Sequence, residues 1–217
     1  MLEIFSKNPE ISLKRIITED ETWTFYYDPR TKRMSAEWIF PGQVRPTVVR
    51  RGRSVKKSLL VVFFDYKGIF CRTTFIPTPG CKAMNSHFYI TKFFMELIKK
   101  IRRKRRKTGP RGLFLLQDNA SCHTSAPTTK FLKKKKLPTL PHPPYSPDLA
   151  PCDFFLFPKL KEILKGRTFL NQKELNGAVT SALNQLSKNG FLFVFQQWLA
   201  RLKKCIECNG DYIERFE

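Results

Sequence analysis

Residues 112–118 read Gly-Leu-Phe-Leu-Leu-Gln-Asp, a run of apolar side chains that ends in a single acid. Gly109-Pro110 breaks the chain just before it, and a short continuous apolar run after such a break is typical of a strand buried on both faces of a sheet. Packing does not explain an acid at the end of a buried strand, because an ionised carboxylate is costly to remove from water. Asp118 is therefore the first candidate for a chemical role.

The segments around this strand alternate in type. Residues 14–28 form a β-branched and aromatic run with acids in its middle, which predicts a strand. Residues 58–64 and 68–75 flank a short turn and predict a hairpin. Helical spacing of apolar residues begins at Asn85 and runs into a basic segment at 99–107. The rest of the chain predicts a helix near 125–135, a strand near 137–140 and helices at 153–165, 171–187 and 190–208.

This order of elements predicts an α/β fold. Three strands precede the first long helix, and strands and helices alternate after it, which favours a mixed sheet with an antiparallel hairpin edge and parallel strands, flanked by helices. The chain has 217 residues, of which 41% are hydrophobic, enough for one sizeable core. We therefore expect residues 1–217 to form a single domain.

The charge of the chain indicates a polyanionic partner. Forty Lys and Arg stand against eighteen Asp and Glu, a net charge of +22. Nucleic acid fits better than a membrane surface, because the basic residues do not lie along one amphipathic helix with an apolar face. No stretch of about twenty uncharged apolar residues occurs, and the N-terminus lacks the apolar core of a secretory signal. We therefore expect a soluble, intracellular protein with no membrane partner.

The six cysteines are irregularly spaced and are best interpreted as reduced thiols. Cys205 and Cys208 form a CxxC motif, but it lies in a predicted helix without a second pair at zinc spacing. His123 and His142 are far from it in sequence. Core or surface thiols are favoured over a structural zinc site.

Three acids on separate elements are candidates for a shared metal site. Cleavage of a phosphodiester by two divalent ions requires several carboxylates that converge on one point. Asp118 ends the apolar strand, Asp153 opens the apolar helical turn CDFFLF, and Asp20 lies inside the first predicted strand. Each also has a structural interpretation: Asp153 as a helix N-cap, Asp118 as an Asx-turn residue, and residues 19–21 as a solvated edge. The strand pattern alone does not select Asp20 over its acidic neighbours.

Three phrases resemble the conserved blocks of mariner-family transposases: ITEDETWTFYYDP, LLQDNASCH and HPPYSPDLAPCDFFLFPKLKEILKGRTF. The family has a TGDETW strand, a HDNA strand end and a YSPDLAPxD segment, and these supply its metal ligands. The 34 residues between Asp118 and Asp153 also match the interval that defines the mariner branch. The resemblance extends from about Leu2 to Glu214, nearly the whole chain.

The resemblance implies an RNase H-like fold in which Asp20, Asp118 and Asp153 are both the catalytic residues and the ligands of two Mg²⁺ or Mn²⁺ ions. The implied reaction is hydrolysis at a transposon end, followed by attack of the freed 3′-hydroxyl on target DNA. Two residues depart from the family pattern: Glu19 replaces the usual Gly, and Gln117 replaces the His that commonly precedes the second aspartate. Glu19 adds negative charge beside the metals. Asp148, which follows Pro147, is interpreted as a turn former outside the ligand set.

Basic segments are candidates for contacts with DNA phosphates, which position a protein without reading sequence. Two of these segments flank the Asp118 strand, so we expect contact with DNA near the active edge; solvated helix ends are the alternative. The run at 99–107 would equally serve as a nuclear import signal, and we expect a nuclear protein. The candidates are Arg45, Arg50, Arg51, Arg53, Arg102, Arg103, Lys104, Arg105, Arg106, Lys133, Lys134 and Lys135.

The basic loop at 41–57 occupies the region that in mariner transposases reaches across to the partner subunit and DNA, so the resemblance implies a homodimer through this loop. Trp38 beside it would contact the partner or cover a local patch of core. Mariner transposases also carry N-terminal helix-turn-helix modules. We expect sequence-specific recognition of transposon ends to be absent from this chain or supplied by another.

Three functional hypotheses follow from the sequence. The first is a catalytic domain that nicks or joins DNA with metal. The second is an inactive, transposon-derived or domesticated module that binds DNA through charge, which the two departures favour. The third is an RNase H-like nuclease that acts on RNA hybrids, and the SPDLAPCD segment argues against it.

Overall fold

A computed structural model describes residues 9–44, 52–76 and 85–213 of the chain. The predicted segments form one five-stranded sheet in the order β3-β2-β1-β4-β5. β1 pairs antiparallel with β2 and parallel with β4, while β2–β3 is antiparallel and β4–β5 is parallel. The strands are β1 (Ile16–Phe25), β2 (Lys57–Asp65), β3 (Gly68–Phe75), β4 (Phe114–Leu116) and β5 (Thr139–Leu140). The prediction of a mixed sheet with a hairpin edge is confirmed.

Helices cover both faces of this sheet. They are α1 (Pro9–Leu13), α2 (Ser86–Tyr89), α3 (Met95–Lys104), α4 (Ser121–Thr124), α5 (Ala126–Lys135), α6 (Phe157–Leu164), α7 (Gln172–Leu186) and α8 (Leu192–Glu207). Two π-helical turns continue into α3 and α6, at Ile90–Phe94 and Cys152–Leu156. None of the helices within the described ranges is both long and apolar enough to cross a bilayer.

The central strands divide the apolar side chains between two cores. On β2, Leu60, Val62 and Phe64 face a core built with α6, α7 and α8. Val61 and Phe63 face the opposite core, which α2, α3 and α5 complete. Because side chains alternate along a strand, the same rule divides β1: Ile16 lies in the first core and Ile17 in the second. We call these the α7 face and the α3 face of the sheet.

The strand before Asp118 is shorter than the apolar run predicts. Only Phe114–Leu116 pair with neighbouring strands, although Leu113 is also buried. Gly112 has a φ of +77°, and Leu113 N donates to Pro110 O, so the beginning of the run belongs to a turn. Asp118 consequently lies two residues beyond the strand rather than on it.

The basic runs lie at the N-terminal ends of the parallel strands, whereas Asp118 lies at their C-terminal ends. α3 leads into the N-terminal end of β4 and α5 into the N-terminal end of β5, whereas Asp118 follows the C-terminal end of β4. Arg102–Arg106 and Lys133–Lys135 are therefore remote from the acids, because a crossover helix returns the chain to the edge where the next parallel strand begins. This differs from the expectation that both runs lie near the active edge.

Candidate active site

The pairing of β1 with β4 brings Asp20 level with Asp118. Thr18 is the parallel partner of Leu116, and each acid follows two residues later in its own chain. Asp20 is opposite Val62 of β2, whose side chain lies in the core of the α7 face. Asp20 therefore lies on the α7 face of β1, at the edge where β4 ends.

Asp153 comes to the same place from a different element. It lies in the π-helical turn Cys152–Leu156, which packs against β1 before α6 begins. Its carboxyl shares a hydrogen bond with that of Asp20. Asp153 and Asp118 also line one cavity of about 520 Å³, together with His142 and the segment Pro143–Pro147. The three acids predicted from sequence therefore meet around one edge of the sheet.

The pKa values of Asp20 and Asp153 are both raised, mainly by burial. Burial, with a further contribution from the charge of Asp153, raises the pKa of Asp20 to about 9. Burial also raises the pKa of Asp153, while its hydrogen bond with Asp20 acts in the opposite direction. Since a carboxylate can only accept and this hydrogen bond favours the charged form of Asp153, Asp20 is the donor of the shared proton.

Asp118 is more exposed and is held by a histidine. Its side chain is 48% exposed, and its Oδ1 lies 2.7 Å from His123 Nδ1. That hydrogen bond lowers the pKa of Asp118, so the group is ionised and His123 Nδ1 carries the proton. Asp118 Oδ1 also accepts from Ala120 N at 3.0 Å. The Asx-turn interpretation is therefore correct as well, and it does not compete with a position at the site.

A buried cluster behind Asp118 was missed by the sequence analysis. Glu19 and Glu21 point to the α3 face of β1, where His123 Nε2 lies 3.4 Å from Glu19 and 3.3 Å from Glu21. Tyr89 donates its hydroxyl hydrogen to Glu19, and its ring lies 4.8 Å from that of His123. Glu19 is only 2% exposed, so the interpretation of residues 19–21 as a solvated edge is wrong for this residue.

The titration of this cluster follows from its burial. Desolvation raises the pKa of Glu19 to about 8, against the opposing effect of His123. Burial by itself would lower the pKa of His123, but the charge of Glu19 and the hydrogen bond to Asp118 outweigh it and raise the pKa far above the ordinary 6.5. His123 is therefore an imidazolium that donates to carboxylates on both sides. The extra acid at position 19 thus lies beside a positive charge.

The three aspartates offer the ligands that a hard divalent ion prefers. Mg²⁺ and Mn²⁺ bind carboxylate oxygens, and a cation between Asp20 and Asp153 would offset the burial and the neighbouring acidic charges that raise their pKa values. Among the residues that the structure describes, the oxygens of these three acids do not all lie within 4.8 Å of one another. Three possible ligand atoms of Glu21, Cys122 and His123 do lie within that distance. The arrangement fits a pair of ions held between acids better than one ion held by all three.

Comparison with known proteins identifies the family of this site. Residues 27–176 match the model of the DDE superfamily endonucleases. The chain belongs to that superfamily. The matched range includes Asp118 and Asp153, whereas Asp20 precedes it, so the position of Asp20 rests on the register of β1 and β4.

Two curated relatives extend over almost the whole chain. It is 30% identical to the human histone-lysine N-methyltransferase SETMAR over 97% of its own length and 30% of SETMAR. It is 29% identical to the Mariner Mos1 transposase of Drosophila mauritiana, over 93% of its length and 57% of Mos1. The chain thus spans about a third to rather more than half of these relatives. The resemblance to mariner transposases is confirmed as homology.

Solved structures of Mos1 share the fold. The Mos1 paired-end complex with Mn superposes with a TM-score of 0.81 at 28% identity, covering 95% of this chain and 59% of that one. The Mos1 catalytic domain with Raltegravir and Mn covers 97% of this chain and 91% of that domain, with a TM-score of 0.74 at 25% identity. The expected RNase H-like fold is therefore confirmed.

The remaining predicted site residues have different outcomes. Asp148 is 3% exposed, and its Oδ2 accepts from Ile213 N at 3.4 Å, in agreement with a structural role. Arg53 pairs with Asp28 at 2.7 Å. Arg45, Arg50 and Arg51 lie outside the described residues. Their contacts with DNA stay predictions.

Proposed function

We propose that this chain is the catalytic domain of a mariner-type transposase, which hydrolyses DNA and joins DNA strands with divalent metal. The observation that carries the proposal is the meeting of Asp20, Asp118 and Asp153 at one sheet edge, beside an open cavity. Homology to Mos1 supports the reaction class, and the carboxylate donors support Mg²⁺ or Mn²⁺. A cavity walled by the rigid segment Pro143–Pro147 gives a scissile phosphate access to the acids.

Asp20, Asp118 and Asp153 would hold two metal ions. When bound, these ions supply a nucleophile at neutral pH and stabilise the charge on the leaving oxygen. Asp20 and Asp153 would hold an ion as carboxylates, and the proton that they now share would be released to solvent. Asp118 is already ionised, and His123 fixes one of its oxygens, so the other remains for a ligand bond.

Contacts with DNA extend over the domain beyond the cleavage site. Arg53, Arg102–Arg106 and Lys133–Lys135 are proposed to bind phosphates, and the two helix-end runs do so at the edge away from the acids. Such contacts position a duplex and make binding depend steeply on salt. We further propose that the 41–57 loop joins two copies of the chain and that the protein acts in the nucleus. In support, Trp38 is fully exposed and Phe40 is 76% exposed immediately before this loop.

A plasmid-nicking assay tests the catalytic proposal. The purified protein is incubated with supercoiled plasmid in Mn²⁺ or in EDTA. The Asp118→Asn and Asp153→Asn variants are tested beside it, with Asp28→Asn as the matched control, because Asp28 pairs with Arg53 outside the site. We expect metal-dependent nicking by the unaltered protein and the control, and losses of at least about 100-fold in the two site variants. Equal nicking by all four proteins would identify a contaminant and reject the proposal.

The second candidate is an inactive DNA-binding module derived from a transposon. The observation that favours it is the buried Glu19, which brings a further carboxyl against His123, the residue that holds Asp118. Salt-sensitive binding of DNA without nicking in Mn²⁺ would select this candidate. Restoration of nicking by Glu19→Gly, which puts the family's usual residue at this position, would trace the loss to that one side chain.

A further inference from the structure

A set of potential metal ligands unlike the catalytic one lies on the α3 face of β1. Glu21, Cys122 and His123 bring a carboxylate oxygen, a thiol sulfur and a ring nitrogen within 4.8 Å of one another. Glu21 belongs to β1, and the other two belong to α4, the short helix after Asp118. The acids Asp20 and Asp153 meet on the other face of the strand. The two donor sets therefore share one strand but not one cavity.

The chemistry of these donors selects the metal. Mg²⁺ and Mn²⁺ prefer oxygen ligands, whereas sulfur and imidazole together suit Zn²⁺ and its analogue Co²⁺. The ligands of a tetrahedral zinc, at 2.0–2.3 Å from the ion, lie roughly 3.3–3.8 Å apart. A contraction of at most about 1.5 Å would bring the present donors, which lie within 4.8 Å of one another, to that spacing. Cys122 and Glu21 are both partly exposed, which leaves a path for the ion.

A buried oxygen supplies an independent sign of a missing partner. Glu19 Oε1 accepts no hydrogen bond within the described part of the chain, although it is buried. It points at His123 Nε2 from 3.4 Å, the same nitrogen that faces Glu21. Unsatisfied buried carboxylate oxygens are rare and call for an explanation such as an ion. Glu19 lies outside the set of mutually close donors, so it would face a bound ion as a neighbouring negative charge.

The orientation of His123 matches that of a zinc ligand. Histidines that bind metal through one nitrogen usually donate the other N–H to a carboxylate, which fixes the ring and its tautomer. His123 has this arrangement, since Nδ1–H donates to Asp118 at 2.7 Å and Nε2 faces Glu21 and Glu19. A cation on Nε2 would take the place of the proton that now lies between the ring and the two glutamates.

We propose that Glu21, Cys122 and His123 bind one Zn²⁺ ion that ties β1 to α4 behind the catalytic edge, with its fourth coordination position left to a water molecule. On binding, the Cys122 thiol and the imidazolium Nε2 each release a proton to the buffer, and the metal forms bonds to sulfur and nitrogen in their place. His123 keeps its Nδ1–H bond to Asp118. The zinc thus fixes the loop that carries this aspartate without taking it as a ligand.

Titration with Co²⁺ tests the site through a signal that only a thiolate ligand gives. The metal-free protein is titrated with Co²⁺ in excess Mg²⁺, and the near-ultraviolet charge-transfer band from sulfur to cobalt is recorded. We expect one equivalent of bound cobalt with this band, and displacement of the band by Zn²⁺. The absence of the band would overturn the proposal.

Three variants test the assignment of the ligands. Cys122→Ser should abolish the band, and Glu21→Gln should weaken cobalt affinity by at least about tenfold while retaining a thiolate signal. Cys205→Ser is the matched control, because Cys205 is also half-buried but lies on α8. Circular dichroism checks that each variant is folded. Persistence of the band in Cys122→Ser, or its loss in Cys205→Ser, would reject the assignment.

Asp153→Asn separates this proposal from the proposed catalytic function. Asp153 belongs to the predicted Mg²⁺ or Mn²⁺ site and contacts Asp20 on the other face of β1. We expect this variant to lose nicking and keep the cobalt band. A protein that gives the band but never nicks DNA would retain the zinc site while the catalytic proposal fails. Loss of the band in Asp153→Asn would mean that the thiolate signal depends on the catalytic acids and would reject the zinc site.

Discussion

Replacing Asp20 with Asn should make the metal-free protein more stable at neutral and alkaline pH. Burial and Asp153 raise the pKa of Asp20 from 3.8 to about 9 in the folded chain. The folded state therefore binds this proton more tightly than the unfolded state does. The contribution is favourable below pH 3.8 and is lost progressively as the pH rises towards 9.

The size of the effect follows from the interval of pH. Between pH 3.8 and about 9 the folded state holds this proton and the unfolded state does not, so each pH unit in that interval lowers the free energy of unfolding by about 1.4 kcal/mol. At pH 7 the loss relative to acid conditions is therefore roughly 4 kcal/mol. The amide of the Asp20→Asn variant still donates a hydrogen bond to Asp153 and carries no charge. The stability difference between variant and unaltered protein should therefore grow with pH, from near zero at pH 4 to several kcal/mol at pH 8.

Urea unfolding in EDTA at pH 4, 6 and 8 measures this difference. Comparing the two proteins at each pH cancels the contributions of Glu19 and His123, which change stability in the same direction. Asp28→Asn is the control, because Asp28 pairs with Arg53 rather than with another acid. In Mn²⁺ the unaltered protein should recover stability and Asp20→Asn should not. A difference that is constant from pH 4 to 8 would refute the assignment of a charged, buried pair.

Three further predictions concern the cluster, the DNA surface and a helix cap. Tyr89→Phe removes the donor to the buried Glu19 and should lower the free energy of unfolding, measured in urea, by about 1–3 kcal/mol. In a Glu19→Gln background this loss should shrink. An undiminished loss would mean that packing, not the hydrogen bond, is responsible. Replacing Lys133–Lys135 with Gln should reduce the slope of log affinity against log salt concentration by about 0.9 for each phosphate contact removed. Fluorescence anisotropy with duplex DNA measures this slope. An unchanged slope would exclude these lysines from the DNA-binding surface. Asn171 accepts from Glu174 N at the start of α7, so Asn171→Ala should cost about 0.5–2 kcal/mol of thermal stability, and no change in melting temperature would show that the cap is dispensable.

The fold was predictable because its signals are local. The hairpin at β2–β3 and the apolar spacing of α3, α7 and α8 each follow from the period of a single segment. The π-helical turns were not visible, because they leave the apolar spacing nearly intact while they change the backbone hydrogen bonds. The length of β4 was overestimated, since apolar residues continue into a turn that only Gly112 marks.

The candidate site was predictable in its acids but not in their surroundings. Asp118 and Asp153 are distinguished by apolar neighbours, whereas Asp20 required the family resemblance to separate it from Glu19 and Glu21. The role of His123 depends on the meeting of α4 with β1, which are about a hundred residues apart in sequence. The spacing of His123 five residues after Asp118 was available as a signal, because two residues on one tight turn can meet. The edge at which the basic runs lie follows only from the parallel pairing of β4 and β5.

The alternation of side chains along β1 has a consequence for how this chain tolerates mutation. Glu19 and Glu21 point to one face of β1 and Asp20 points to the other. Pairing with β2 and β4 fixes the register of β1. A single inserted or deleted residue before Thr18 would exchange the faces of residues 19, 20 and 21 in one step, whereas a point change at 19 alters the α3 face directly and reaches Asp20 only through its charge. An acid can thus stand at position 19, where the resemblance implies a glycine, while Asp20 keeps its place on the α7 face.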